Sequence, residues 1–298
     1  MSDLERLKIM VVIPSISPAR FDHLRALVEI LESIGASVVV IANSKRLLTL
    51  VKAAEVRHVT SHSNDGFAAS MKLGADSNDS WDWLMILNDD VTLDKSILRD
   101  VLAEHLRNDV GVVYLDAENA RPVPGRLGAF LNISLVGRLL ARQRKRSAHN
   151  AVDVVESGTY KSFSAVAVSR RTWTLLDGLD LELPFTYEDA DFARRSNDAQ
   201  IRSLAVSNSG VFHEHSATTS AWIEYVLPVS TWSAYQYLRK WYRHPRLSQL
   251  ICVSALVVRV CLVPMASAPN RAHLRGVWAA IRAIAFNSKP DLPPFESV

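Results

Sequence analysis

Cysteine is nearly absent from the 298 residues, with Cys252 and Cys261 the only two. Two thiols cannot staple a fold. If both sit on one helix, a rise of about 1.5 Å per residue holds them roughly 13 Å apart, beyond bridging distance. The pattern reads as a chain of a reducing compartment. An excess of one charge is lacking too. Lys and Arg number 34 against 31 Asp and Glu, a net +3, which gives no reason to expect a nucleic-acid binder. Glycine is sparse at 11, and no Gly-rich, Lys- or Arg-bearing phosphate loop follows the first strand-like run. Met1 to Arg6 mix acid and base and lead straight into a short apolar run, so no signal peptide is expected. Internal repeats are missing as well. What is present is globular composition, 48% hydrophobic and 22% charged, which excludes a disordered or fibrous chain. The length suits two domains, or one large α/β unit with an appendage.

Short β-branched runs alternate with helical patterns as far as Leu115. Ile9–Ile13 (IMVVI) reads as a buried strand. Leu24, Leu27, Val28, Leu31 and Ile34 then fall at helical spacing across Phe21–Ile34, with Gly35 as the stop. The alternation continues through Ser37–Ile41, a short helix from Lys45, Val56–Thr60 and a helix from Gly66 to Ala75. Trp83–Leu87, a helix over Asp94–Arg107, and Val110–Leu115 complete it. Such an order predicts a mostly parallel sheet covered on both faces. Residues 117 to about 150 break the rhythm with two prolines, an apolar stretch Phe130–Leu140 and the run Arg142-Gln143-Arg144-Lys145-Arg146. The bland reading of that run is a solvated loop; the other is contact with anionic lipid or a lipid-linked diphosphate. A second ordered block spans 152 to about 220. From Trp222 the pattern is helical, and Ser288–Val298, with three prolines, is expected to fray.

Leu247–Ala268 is the most apolar stretch, and about 20 such residues can cross a bilayer. Arg259 at its middle would cost roughly 2.5–3.5 kcal/mol on insertion, and Pro264 interrupts it, so a single spanning helix is not expected. Two readings stay open. One is a buried C-terminal helix. The other is an interfacial helix, with Lys240, Arg243 and Arg246 at lipid headgroups and Trp232, Tyr235, Tyr237, Trp241 and Tyr242 at the membrane interface.

Open α/β sheets bind ligands beyond the carboxyl ends of their strands. Here those ends read Pro14-Ser15-Ile16-Ser17, Ala42-Asn43-Ser44, Ser63-Asn64-Asp65-Gly66 and Asn88-Asp89-Asp90. Adjacent carboxylates at a strand end can hold Mg²⁺ or Mn²⁺, which neutralises a diphosphate; the alternative is a solvated acidic turn. Further on, Glu188, Asp189 and Asp191 open a helix behind Phe185 and Tyr187. Glu188 and Asp191, at i and i+3, share one face while Asp189 points elsewhere. Thr186 followed by Asp189 resembles a capping box, which explains one or two of these acids but not three behind two aromatics. A carboxylate in a partly apolar cleft is also how a general base is tuned towards neutral pH. His213, after Val211-Phe212, reads either as a surface or core histidine or as a residue leaving a strand into a site. With Asp90 it would give the mixed ligation that Mn²⁺ accepts more readily than Mg²⁺.

In order and spacing, six pieces resemble the family 2 glycosyltransferases of the GT-A fold, especially rhamnosyl- and galactofuranosyl-transferase-like members. They are Val11-Val12-Ile13-Pro14, Asn64–Ala69 with Gly74, Leu84–Val91, Ser169-Arg170-Arg171 before Gly178-Leu179-Asp180, Tyr187–Asp191, and His213 followed by Ser216. The likeness covers roughly residues 8 to 220, and Arg275-Gly276 shares it. It implies a GT-A (Rossmann-like) α/β domain over residues 1–220. A nucleotide-sugar half (about 1–116) and an acceptor half (about 150–220) would make it up, and residues 221–298 would form a helical C-terminal extension. Asn88-Asp89-Asp90 would be the DXD-type motif, with Asp90 on the metal, Asp89 near metal, ribose or diphosphate, and His213 the second metal ligand. Asp189 corresponds to the catalytic base and Glu188 to its acidic neighbour, while Pro14, Ser15, Asn43, Asn64 and Asn88 would line the donor pocket. Two positions depart from the family. It usually has Asp where Ala42 stands, by the nucleotide base, and Asn where Lys72 stands, from which a phosphate could be reached. The implied activity is inverting transfer of a hexosyl or deoxyhexosyl group from a nucleotide sugar to a glycan or lipid-linked acceptor. Its cofactor would be Mn²⁺ or Mg²⁺, and its place the cytoplasm or the cytoplasmic membrane face. A sugar-phosphate nucleotidyltransferase and a non-catalytic glycan-binding protein on the same fold are the alternatives.

Overall fold

Eight of the β-branched runs pair into one sheet. A computed structural model describes residues 7–116, 120–141, 152–213, 222–265 and 270–296. The basic run 142–146, residues 215 and 216 of the resemblance, and the end of the apolar stretch at 266–268 lie outside them. The strands are β1 (Ile9–Ser15), β2 (Ser37–Ala42), β3 (His58–Val59), β4 (Trp83–Leu87), β6 (Val112–Tyr114), β8 (Val152–Val154), β10 (Ala165–Ser169) and β11 (Ser203–Val206). Their spatial order is β3-β2-β1-β4-β10-β6-β11-β8. β10 runs antiparallel to both β4 and β6, and β8 antiparallel to β11; every other neighbouring pair is parallel. Two ribbons lie outside the sheet, β5 (Val91–Leu93) with β12 (Val211–His213), and β7 (Arg121–Pro122) with β9 (Thr159–Tyr160).

Alternation along the strands feeds two cores. Val11, Ile13, Val38, Val40, Met85 and Leu87 pack beneath α1 (Phe21–Ser33), α2 (Lys45–Ala53) and α4 (Lys95–His105). Met10, Val12, Val39, Ile41, Leu84 and Ile86 pack beneath α3 (Phe67–Ala75), α7 (Arg170–Leu175) and α8 (Glu188–Asp198). Each such side chain taken from water contributes about 1.5–3 kcal/mol, so the sheet centre is the most strongly determined part of the chain. α3 approaches β1 so closely that a Cβ on Gly74 would lie 2.4 Å from Val12 Cγ1. Strand ends differ from the sequence expectation in both directions. β1 and β2 run on to Ser15 and Ala42, because parallel pairing continues through Pro14↔Ile41 and Ser15↔Ala42. Val56–Thr60 shrinks to two residues, an edge strand paired only at Val40 and Ile41.

A third core joins α5 (Arg126–Ser134) and α8 to the C-terminal helices α9 (Ile223–Tyr242), α10 (Pro245–Leu262) and α11 (Asn270–Ala285); the short α6 (Val136–Ala141) follows α5. Trp232, Tyr235 and Tyr237 are buried in it, Tyr237 with its ring 5.3 Å from that of Tyr187. The reading that set these aromatics at a lipid interface is therefore overturned: they are packing residues. Cys252 and Cys261 both fall on α10 and both are free thiols. Over its described residues, which end at 296, the tail is anchored to the domain where its composition predicts fraying. Its prolines leave few donors to satisfy, and its one aromatic supplies an anchor. Phe295 is buried in the first core, its carbonyl accepts from Lys45 N–H at 2.9 Å, and Lys45 Nζ meets Glu296 at 2.7 Å.

Candidate active site

From β1 the chain passes to β2 on one side, while β4 takes the other, and a crevice opens between β1 and β4 at their carboxyl ends. Ser15 Oγ spans that crevice and donates to Asp89 Oδ2 at 2.5 Å. Ser15 O accepts from Asn43 N–H at 2.8 Å, and Pro14 precedes it in β1 opposite Ile41. Burial pushes the Asp89 carboxyl up, as does the Asp90 charge. The Ser15 hydroxyl, Arg20 and His23 act the other way without cancelling it. Arg20 ends a short turn, Pro18–Arg20, directly after β1. A cation thus stands where the sequence showed no phosphate loop.

Asp90 turns instead to His213. The three-residue step from β4 to β5 (Asn88-Asp89-Asp90) puts Asp90 beside Val91, and β12 pairs His213 with that same Val91. His213 Nε2 lies 2.9 Å from Asp90 Oδ1, both residues nearly buried, and His213 Nδ1 lies 3.7 Å from Asp116 Oδ2. Asp116 also accepts from Ser164 Oγ, and Ser164 O accepts from Asn88 N–H at 2.8 Å. Among the described residues no cluster of three or more His, Cys, Asp and Glu forms a complete metal-holding set. Asp90 and His213, here paired with each other, nevertheless supply one hard oxygen and one imidazole nitrogen side by side. That donor set fits an Mg²⁺ or Mn²⁺ ion whose other positions come from a diphosphate and water. Asp116 is in place to orient the imidazole from behind. Asp116 and Ser164 were missed from sequence, although Asp116 also follows a strand end.

The acids of α8 fall into three different environments. Thr186 and Tyr187 both take positive φ, 65° and 68°, and the helix begins at Glu188 with Tyr187 as its N-cap and no side-chain cap bond. The capping box that Thr186 and Asp189 resemble does not form: the N-cap is Tyr187, one residue later, and the buried Thr186 Oγ1 has no hydrogen-bond partner among the described residues. Asp191 is fully buried and receives Arg195 Nε at 2.8 Å, Lys240 Nζ at 2.8 Å and Trp241 Nε1 at 2.8 Å. It ties α8 to α9 and is spent on structure. Glu188 is buried with Oε2 lacking a hydrogen-bond partner among the described residues. Burial, then the Asp189 and Asp191 carboxylates, hold it well above the ordinary carboxylate range. Asp189 alone is only half-buried. Its charge, after burial, helps to push the Tyr114 and Tyr160 phenols up. The loop before α8 rests on the β3–α3 turn: Pro184 O accepts from Phe67 N–H at 2.7 Å. Gly66, at φ +98°, permits this approach, since a Cβ there would meet Pro184 O at 2.4 Å.

Asn43 and Lys72 share a pocket of about 230 Å³ with Asp65, Ala69, Ser70 and Leu181. Asn43 Nδ2 donates to Ser70 Oγ at 3.1 Å, and Lys72 Nζ pairs with Asp76 at 3.0 Å. Ala42 is fully buried in the core and offers no group to a ligand. Asn64 turns to the C-terminal tail, donating from Nδ2 to Pro293 O at 3.1 Å. The structure thus brings Ser15 to Asp89, Asp90 to His213, and Asn43 to Lys72, and gives Asn64 to the tail.

Sheet order, crevice and strand-end carboxylates define a nucleotidyl- or glycosyl-transferase type of α/β enzyme. The chain belongs to the family of MobA-like NTP transferase domains, whose profile matches residues 22–177. That match takes in Asp89 and Asp90 and ends before Glu188 and His213. Comparison with curated proteins finds no match. Among solved structures, the chain is similar to GalNAc-T7 with UDP, GalNAc and Mn²⁺, at 13% identity and TM-score 0.48 over 78% of this chain and 50% of that one. It thus spans half that protein's length. TarS of S. aureus aligns at 12% identity and TM-score 0.43 over 98% of this chain and 100% of that one. A nucleotidyl transferase from Methanothermobacter thermautotroptrophicus aligns at 13% and 0.41, over 68% and 88%.

Proposed function

We propose that the protein is a metal-dependent, inverting glycosyltransferase, rhamnosyl- or galactofuranosyl-transferase-like. It would move a hexosyl or deoxyhexosyl group from a nucleotide sugar to a glycan or lipid-linked acceptor hydroxyl. The carrying observation is Asp189, half-buried beside the desolvated Glu188 in the first turn of α8, behind a loop that rests against Gly66. A hydroxyl must lose its proton as its oxygen attacks the anomeric carbon. A sugar phosphate attacking a nucleoside triphosphate is already an anion and needs no such base. In this reading Asp189 takes the proton, the acceptor oxygen bonds to the anomeric carbon from the face opposite the leaving group, and the bond to the diphosphate breaks. Burial and the neighbouring carboxylates favour the protonated form of Glu188, which limits negative charge in the site. Ser15 and Asp89 orient the ribose or diphosphate, and Arg20 faces its charge. Asn43, Lys72 and their pocket receive the nucleoside, with Pro14, Asn64 and Asn88 completing the donor wall. A bound Mn²⁺ or Mg²⁺, held by Asp90 and His213, supplies neutralisation of the leaving diphosphate.

The same reading makes residues 1–220 the transferase and 221–298 a helical extension of it. It sets the protein in the cytoplasm, in peripheral contact with the membrane face where the acceptor is lipid-linked. The alternative, a sugar-phosphate nucleotidyltransferase, is favoured by the family profile itself. Asp189→Asn separates the two. Turnover of a nucleotide sugar should fall by about 10²–10⁴-fold with donor affinity kept. Asp90→Ala should lose metal-dependent donor binding. Full turnover by Asp189→Asn would remove the base and with it this reading.

A further inference from the structure

The C-terminal helices carry an apolar face that none of the described residues covers. On α10 the buried side is Ser248, Cys252, Ala255, Leu256 and Arg259, turned towards α5, α9 and α11. The opposite side shows Leu247, Leu250, Val257 and Val260, exposed by 39%, 63%, 56% and 42%. At helical spacing these four share one stripe, and no charged side chain interrupts it between Leu247 and Leu262 on that face. α11, packed against α10, exposes Trp278 and Leu274. It also exposes Arg271, Arg275 and Arg282, of which Arg275 meets Glu224 at 3.7 Å. From Arg243 to Lys289 the sequence contains no Asp or Glu.

We infer that the exposed face of α10, with Trp278 and the arginines of α11 beside it, docks on an anionic lipid bilayer. The inference deepens the proposed function by naming the surface that would bring the enzyme to a lipid-linked acceptor. Charge selects the occupant. A second copy meeting this face about a two-fold axis would set arginine against arginine. An anionic bilayer takes the apolar stripe at the level of the acyl boundary and the guanidinium groups among headgroups. α10 lies on the bilayer and does not cross it. Arg259 donates to His273 Nε2 at 2.7 Å and to Ile133 O at 2.6 Å, and spanning would strip both partners from its charge.

The test uses the full chain, without donor or acceptor, and vesicles of phosphatidylcholine alone or mixed equally with phosphatidylglycerol. The intact chain should sediment with the mixed vesicles at low salt, release at high salt, and stay free of the neutral ones. Leu250→Ser with Val257→Ser should bind the mixed vesicles roughly tenfold more weakly, with an unchanged melting temperature because both residues are exposed. Equal binding to both vesicle types would overturn the inference. So would full binding by the double variant, or a dimer of the intact chain that the double variant makes monomeric and that ignores lipid. Because no sugar nucleotide is present, failure here leaves the transferase reading standing, and failure of that reading leaves this result standing.

Discussion

Asp191 and Glu188 sit three residues apart and answer differently to mutation. Asp191 compensates Arg195 and Lys240 from a fully buried position. Asp191→Ala leaves Arg195 without its carboxylate, while Lys240 keeps Asp180 at 2.7 Å, so urea melts should show a loss of about 3–5 kcal/mol, whereas Lys240→Met should cost less because Arg195 still pairs. Glu188 is the reverse case. Its folded pKa lies above the ordinary 4.5, so the folded state holds the extra proton. The stability this group lends is complete below pH 4.5 and is lost as pH rises through the folded value. Glu188→Gln copies the protonated form. It should melt at or above the parent at neutral pH, with the difference closing under acid; early melting at neutral pH would contradict the burial argument. Single residues were unevenly legible. Asp89 and Asp90 announce themselves as a strand end. Arg20 does not, because its charge acts on Asp89 from a turn whose direction no local pattern encodes.

At the scale of elements, the sheet was legible because both of its faces are buried, which turns each strand into an unbroken β-branched run. The C-terminal helices were ambiguous for a physical reason. Aromatic residues interleaved with Arg and Lys satisfy a membrane interface and a helix–helix core equally, and periodicity does not say what lies opposite. Here Tyr187 and Asp191 lie opposite, so Tyr237 and Trp241 turn inward. The tail was misread since proline-rich composition suggests fraying, while the anchoring of Phe295 depends on a core built by residues far away in sequence. The tail holds Asn64 and Lys45 beside the donor side of the sheet. Deleting residues after Lys289 should therefore weaken nucleotide-sugar binding by calorimetry and raise KM, with kcat at saturating donor little changed. Unchanged donor affinity in the truncated chain would reduce the tail to a stabilising clasp.

For the molecule as a whole, the first 116 residues and the block 152–213 are joined by the β4–β10, β6–β10 and β6–β11 pairings and by Pro184 O, which takes the Phe67 N–H over Gly66. At the crevice Ser15 meets Asp89, and the β5–β12 ribbon delivers His213 to Asp90. Transfer to a hydroxyl, as proposed, and transfer of a nucleotidyl group leave different products. The direct measurement incubates the purified chain with Mn²⁺ and a panel of nucleotide sugars, and separately with nucleoside triphosphates and sugar 1-phosphates. The account predicts nucleoside diphosphate from at least one nucleotide sugar, abolished by chelation and restored by Mn²⁺, with no pyrophosphate from the second mixture. Pyrophosphate from the triphosphates, with every nucleotide sugar left intact, would contradict it.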